Sequence, residues 1–141
     1  PERRQLAKTG VLRSAYMLGN GEEVMLAATD LLAETKVAPE LSNEAHYYRA
    51  KAYLDAGKVE GAMDDLKILA KDTRNIYGAE AKYKVAQIYF DAGQTEQAEK
   101  EVLDYIEVST PHTYWLARSF VLLSDVFCKF RIHQTTPFVN S

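Results

Sequence analysis

Three histidines, one cysteine and a pair of adjacent aspartates are the residues of this chain whose types could support catalysis or metal binding. Their spacing decides against it. His46, His112 and His133 stand in different segments, whereas a helical metal pair needs two ligands four residues apart on one face. His46 falls where the local pattern requires a large packing residue. Cys128 has no histidine or asparagine pattern around it and reads as a small buried apolar residue. The strings Asp55-Ala-Gly-Lys58 and Asp91-Ala-Gly-Gln94 resemble glycine-rich phosphate loops only superficially. GKVEGAM lacks the G-x-x-x-x-G-K-[ST] order, and its glycine follows a helical stretch instead of a strand. Asp64 and Asp65 are sequence neighbours, about 100° apart on a helix, and read as a solvated face. The expectation is a protein that is not an enzyme and that uses no metal and no cofactor.

The elements that would position any site come from a repeat. YLDAGKVEGAMDDL, Tyr53 to Leu66, is followed 36 residues later by YFDAGQTEQAEKEV, Tyr89 to Val102. That shift also pairs Ala45 with Ala81 and Ala50 with Ala86. Upstream, an offset of 38 lays Gly19 on Gly57 and Glu22 on Glu60; downstream, the same offset lays Ser119, Ser124 and Phe127 on Ala81, Ala86 and Tyr89. Each unit reads as two helices. Ser42 to Ala56 has small and apolar residues near a 3.6-residue period. Gly57 ends that helix, because glycine takes the left-handed conformation that other residues resist. A second helix follows, with Ala62, Leu66 and Leu69 on one face. The same pattern predicts helices over 2–18, 21–34, 76–92, 94–108 and 113–130. Pro39 and Pro111 are expected in connectors, where proline costs least. Ala50 and Ala62 would let paired helices approach closely.

The repeat resembles the tetratricopeptide repeat, whose 34-residue pattern is a large residue, a Leu-Gly pair, a Tyr and later Ala-x-x-x-Phe. Here that becomes His46, Arg49-Ala50, Tyr53 and Ala62-x-x-x-Leu66, then Lys82, Val85-Ala86, Tyr89 and Ala98-x-x-x-Val102. The sequence departs from the pattern where Ala replaces Gly and where His or Lys replaces the large aromatic. Arg49 also occupies a slot that normally carries Leu. The resemblance covers residues 6 to 130 and implies an all-α, right-handed solenoid of about seven helices. Its units would span about 5–38, 43–76 and 79–112, with a half unit at 113–130, all within a repeat domain over 1–130. Residues 131–141 read as an irregular tail. YGAEAKYKVAQIYFDAGQTEQAEKEV is similar in style to repeats of bacterial cell-envelope proteins of this family, which favours the envelope over the cytoplasm.

In such arrays the first helix of each pair lines a concave side that takes a peptide or a partner's helix. Carried over residue by residue, that side is Arg13, Tyr16 and Met17, then Tyr47, Tyr48, Lys51 and Leu54. Tyr83, Lys84, Gln87 and Phe90 follow, and the half unit adds Arg118, Val121 and Asp125. Tyrosines interleaved with Lys, Arg and Gln suit peptide binding, offering flat apolar area with a polar tip. The competing reading packs several of these rings between units.

Composition narrows the partner. The chain has 141 residues, 47% of them hydrophobic, and a net charge of -3. Domains held by phosphates usually carry a basic surplus, so nucleic acid is not expected, although helical-pair repeats of similar length do read RNA. One cysteine excludes an internal disulfide, and no run of about 18 apolar residues is present for a membrane span. A start at Pro1 in helical sequence suggests a piece of a longer chain. The leading expectation is a protein or peptide ligand in the groove. The alternative is a spacer or homo-oligomerisation segment, acting through the nearly all-apolar C-terminal helix.

Overall fold

The computed structural model describes residues 2–108 and 110–139, with 133–139 as helical backbone alone. The described residues form seven helices and no strand: α1 (Glu2–Met17), α2 (Gly21–Leu32), α3 (Pro39–Asp55), α4 (Val59–Leu69), α5 (Ile76–Asp91), α6 (Thr95–Glu107) and α7 (Thr113–Val139). They gather into two compact units, Pro1–Leu69 and Ala70–Ser141. In the first, α1 packs on α2, α2 on α3 and α3 on α4, and α1 touches α3. In the second, α5 packs on α6, α6 on α7, and α5 touches α7.

The joints follow from three glycines. Gly19, Gly57 and Gly93 close the first helix of each pair with φ of 70°, 73° and 78°. In each joint the next residue's amide reaches back five positions: Asn20 to the Ala15 carbonyl, Lys58 to Tyr53, and Gln94 to Tyr89. This is the Schellman arrangement, which satisfies carbonyls at the helix end while turning the chain. Asn75 starts α5 by accepting a hydrogen bond from the Tyr77 amide at 2.8 Å, a side-chain cap for an otherwise orphaned donor.

Small residues occupy the places where helices meet. Ala28, Ala45, Ala62, Ala79 and Ala98 are fully buried, and Ala50, Ala81 and Ala86 nearly so. The first unit's core gathers Leu12, Val24 and Leu31 around such alanines. The second packs Tyr83, Ala86, Val102 and Leu122, with Trp115 and Phe90 beside them. Gly61 has a related role, since a Cβ there would meet the Tyr53 ring at 3.1 Å.

Two boundaries differ from the sequence reading. Pro39 lies inside α3, at its first turn, where the missing N–H is one the helix cannot use in any case. The tail expected to be irregular from residue 131 instead continues α7 to Val139. The side chains of residues 133–139 lie outside the described residues, as do Asn140 and Ser141.

Two stability predictions follow from these joints. Gly57→Ala and Gly93→Ala should each cost about 1–2 kcal/mol, the penalty for a Cβ in the left-handed region. Gly10→Ala is the control: it sits within α1 with open space around it and should stabilise by about 0.5–1 kcal/mol. Urea unfolding of the three variants checks the contrast. Separately, Ala50→Leu or Ala86→Leu should overpack a helix contact and cost about 1–3 kcal/mol, read as a lower melting temperature.

Candidate functional site

Each of the three helix pairs is closed by a lysine or histidine on its first helix and an acid on its second. Lys8 of α1 pairs with Asp30 at 2.9 Å and with Glu34. His46 of α3 donates from Nδ1 to Asp65 Oδ1 at 2.7 Å. Lys82 of α5 pairs with Glu101 of α6 at 2.8 Å. Lys8, His46 and Lys82 are the same repeat position, separated by 38 and 36 residues. It is the slot for which the sequence resemblance implies a large packing residue.

The middle pair is the most deeply built. Asp65 is 1% exposed, which corrects the expectation of a solvated Asp64-Asp65 face; Asp64 alone is exposed. Arg49 grips the Asp65 carboxylate with two bonds, Nε to Oδ2 at 2.8 Å and Nη2 to Oδ1 at 2.7 Å. A third bond runs from Arg49 Nη1 to Thr29 Oγ1 at 3.0 Å. Burial by itself pushes the Asp65 carboxyl up, and the Arg49 and His46 hydrogen bonds outweigh it, holding it below the usual carboxylate range. Arg49 in a leucine slot is therefore the partner of a buried acid.

The residues expected to line a groove are brought together in two separate sets. In the first unit, Arg13 of α1 forms a forked pair with Glu44 of α3, at 2.6 and 2.8 Å. This pair, chiefly through Arg13, lowers the Glu44 pKa. The Tyr16 ring stacks on Tyr48 with centroids 4.1 Å apart. Tyr47 lies 5.9 Å from Tyr48 and carries Lys51 Nζ 5.1 Å from its own centroid. Leu54 is half-buried further along α3. Met17 is exposed at the end of α1.

In the second unit, the Tyr83 hydroxyl donates to Gln87 at 2.9 Å, and Gln87 donates to Asp91 at 2.8 Å. Arg118 of α7 donates to the Tyr83 hydroxyl at 3.3 Å and to the Tyr114 hydroxyl at 3.1 Å. Its guanidinium carbon lies 5.1 Å from the Tyr83 centroid and 5.9 Å from that of Tyr114. Trp115 closes the group, 5.7 Å from Tyr83 and 4.8 Å from Tyr114. Phe90 receives Lys129, 5.6 Å from its ring. Lys84 is engaged by Glu80 at 3.2 Å. Val121 and Asp125 are exposed on α7.

Tyr83 is 7% exposed, so it serves the core with its ring and the surface with its hydroxyl. Glu44, Tyr114, Trp115 and Lys129 belong to these faces without having been singled out for them. The repeat offset signals only their positions, since their partners stand on other helices. His112 is structural, its Nε2 donating to the Arg74 carbonyl at 2.9 Å. The His133 side chain lies outside the described residues. Cys128 is exposed, against the expectation of burial, because it points to the side of α7 that no described helix covers.

Among the described residues, no three His, Cys, Asp or Glu side chains converge as a metal would require. No described helix is long and apolar enough to cross a membrane. Comparison with protein-family models, curated proteins and solved structures gives no match to this chain.

Asp65 should dominate the acid limb of stability. Its folded pKa is depressed, so its contribution is present above the unfolded carboxyl value of about 4 and is lost as pH falls through the folded one. Asp65→Asn should therefore flatten the loss of stability below about pH 4. At neutral pH, Asp65→Ala should cost on the order of 3 kcal/mol, since it leaves Arg49 without its partner. The Arg49→Leu, Asp65→Leu double variant should cost clearly less than its two single changes summed. Denaturant melts across the pH series check all three.

Proposed function

We propose that the chain is a non-catalytic tetratricopeptide-like module that holds a partner polypeptide against the faces of its first helices. On this reading the helix pairs of each unit are stacked in the right-handed manner of such repeats. The observation that carries the reading is the recurrence of rings with a cation seated on them: Lys51 on Tyr47, Arg118 on exposed Tyr114 and on buried Tyr83, and Lys129 on Phe90. Rings and cations so arranged offer flat apolar area, hydrogen-bond donors and charge without first having to be ordered. Preorganisation of this kind lowers the entropy cost of binding. An extended peptide presents the matching chemistry, with alternating side chains and free backbone carbonyls.

A test begins with selection of random displayed peptides against the whole chain. Each enriched peptide should bind at least tenfold more weakly, about 1.4 kcal/mol, to the variants of the face it occupies, Lys51→Ala in the first unit or Arg118→Ala and Phe90→Ala in the second, in chains that keep their helix content. Tyr83→Ala is expected to differ, losing about 3 kcal/mol of stability because its ring is buried. Failure to enrich any peptide, or equal binding to all variants, would count against the faces. A random oligonucleotide at low salt should not bind, as phosphate contacts strengthen at low ionic strength.

A further inference from the structure

Repeat position and exposure together single out the outer side of α7. At the place where the other pairs carry Lys8, His46 or Lys82, α7 carries Phe120. Those three side chains reach an acid beyond the first helix of their pair, whereas Phe120 is 50% exposed. Ser119, Leu122 and Val126 are buried and define the inner side of α7. On the opposite side Ala117, Phe120, Val121, Ser124, Phe127 and Cys128 form an exposed stripe. Its spacing of three and four residues is that of a helix–helix seam. Val121 and Phe127 are 64% and 53% exposed, and Tyr114 and Ile132 extend the face with 59% and 63%.

We propose that this stripe pairs with the same stripe of a second copy, the two α7 helices running antiparallel. The choice of occupant rests on self-complementarity. With the two-fold axis near Leu122, Phe120 falls opposite Ser124 of the second copy, and Phe127 falls opposite Ala117. Each large ring thus meets a small residue. On the flank facing α5, Arg118 comes level with Asp125 of the second copy, and the two-fold axis repeats that pair. Among the described residues Arg118 has hydroxyl and ring partners but no carboxylate within 4 Å. A parallel pairing would instead set Phe120 against Phe120 and Arg118 against Arg118. The seam from residue 113 to 132 is about 30 Å long. It offers roughly 600 Å² of largely apolar surface per copy, close to the ~800 Å² per partner of a stable interface once the polar flank is added.

The test uses the full chain. Sedimentation over a concentration series should show a monomer–dimer equilibrium, with Phe120→Asp, Phe127→Asp monomeric at unchanged helix content. Crosslinking fixes the direction. Cys128 of the two copies would stand about 18 Å apart along the axis, too far for a disulfide, so mild oxidation should leave the natural chain uncrosslinked. Ala117→Cys, in the chain that keeps Cys128, should give a disulfide-linked dimer. A natural chain that is monomeric at every concentration overturns the proposal. So does ready crosslinking through Cys128 alone, which would indicate parallel helices. If the aspartate variant fails to fold, the Ala117→Cys result still decides, and absence of its crosslink rejects the antiparallel seam.

Discussion

Helices that meet at alanine are the constraint on which the rest of this structure depends. Ala28, Ala45, Ala62, Ala79 and Ala98 are fully buried where the helices pack, and so small a side chain returns little apolar area, on the order of 1 kcal/mol each. Close approach brings the polar rims of the two helices within reach of each other. The chain uses that proximity to join Lys8 to Asp30 and Glu34, His46 to Asp65, and Lys82 to Glu101. The outer pairs are partly solvated, and such pairs contribute little individually. Asp65 is different because it is buried, so its partners decide between a satisfied network and an uncompensated charge.

How far the sequence could be read follows from the range of each signal. Helix boundaries depend on neighbours within a turn or two, and glycines at fixed intervals marked the ends of α1, α3 and α5 within a residue or two. The fate of Asp65 depends on another helix. Seen on α4 alone, next to exposed Asp64, it looks like solvent-facing charge. The clue was a second anomaly, Arg49 in a leucine slot 16 residues earlier, and a hairpin brings two such departures face to face. Cys128 failed in the opposite sense. Its apolar character suggested burial, but burial requires a covering element, and the outer side of α7 has none among the described residues. The groove residues were legible as positions on first helices. Their pairings were not, because Arg13 chooses Glu44 and Arg118 chooses Tyr83 and Tyr114 through contacts across helices.

Those pairings make the two faces electrostatically unlike. In the first unit Arg13 is already neutralised by the forked bond to Glu44, and that bond braces α1 against α3. What remains for a ligand there is ring surface, the Tyr16–Tyr48 stack and Tyr47 under Lys51. In the second unit Arg118 is held in place by hydroxyls, which orient its guanidinium without cancelling its charge. A planar cation fixed between two rings can accept a carboxylate at no cost in side-chain ordering. A partner crossing the α5–α7 face would therefore be selected for negative charge, and one crossing the α1–α3 face for apolar or aromatic character.

The phenylalanine at position 120, where the other pairs carry lysine or histidine, also bears on the outer side of α7. A lysine there would be well placed only if an acid stood on a following second helix, as Glu101 does for Lys82. Among the described residues no such helix follows α7, so a lysine there would be solvated, with the adjoining Val121 and Phe127 still exposed. A helix side left to solvent is ordinarily polar. An aromatic at 120, flanked by small residues at 117 and 124, is the opposite arrangement: it weakens the isolated unit's solubility and gains only when something helical lies across it. The substitution is thus intelligible as a surface made for contact, and the alternation of large and small residues along α7 makes its own copy a geometrically suitable occupant.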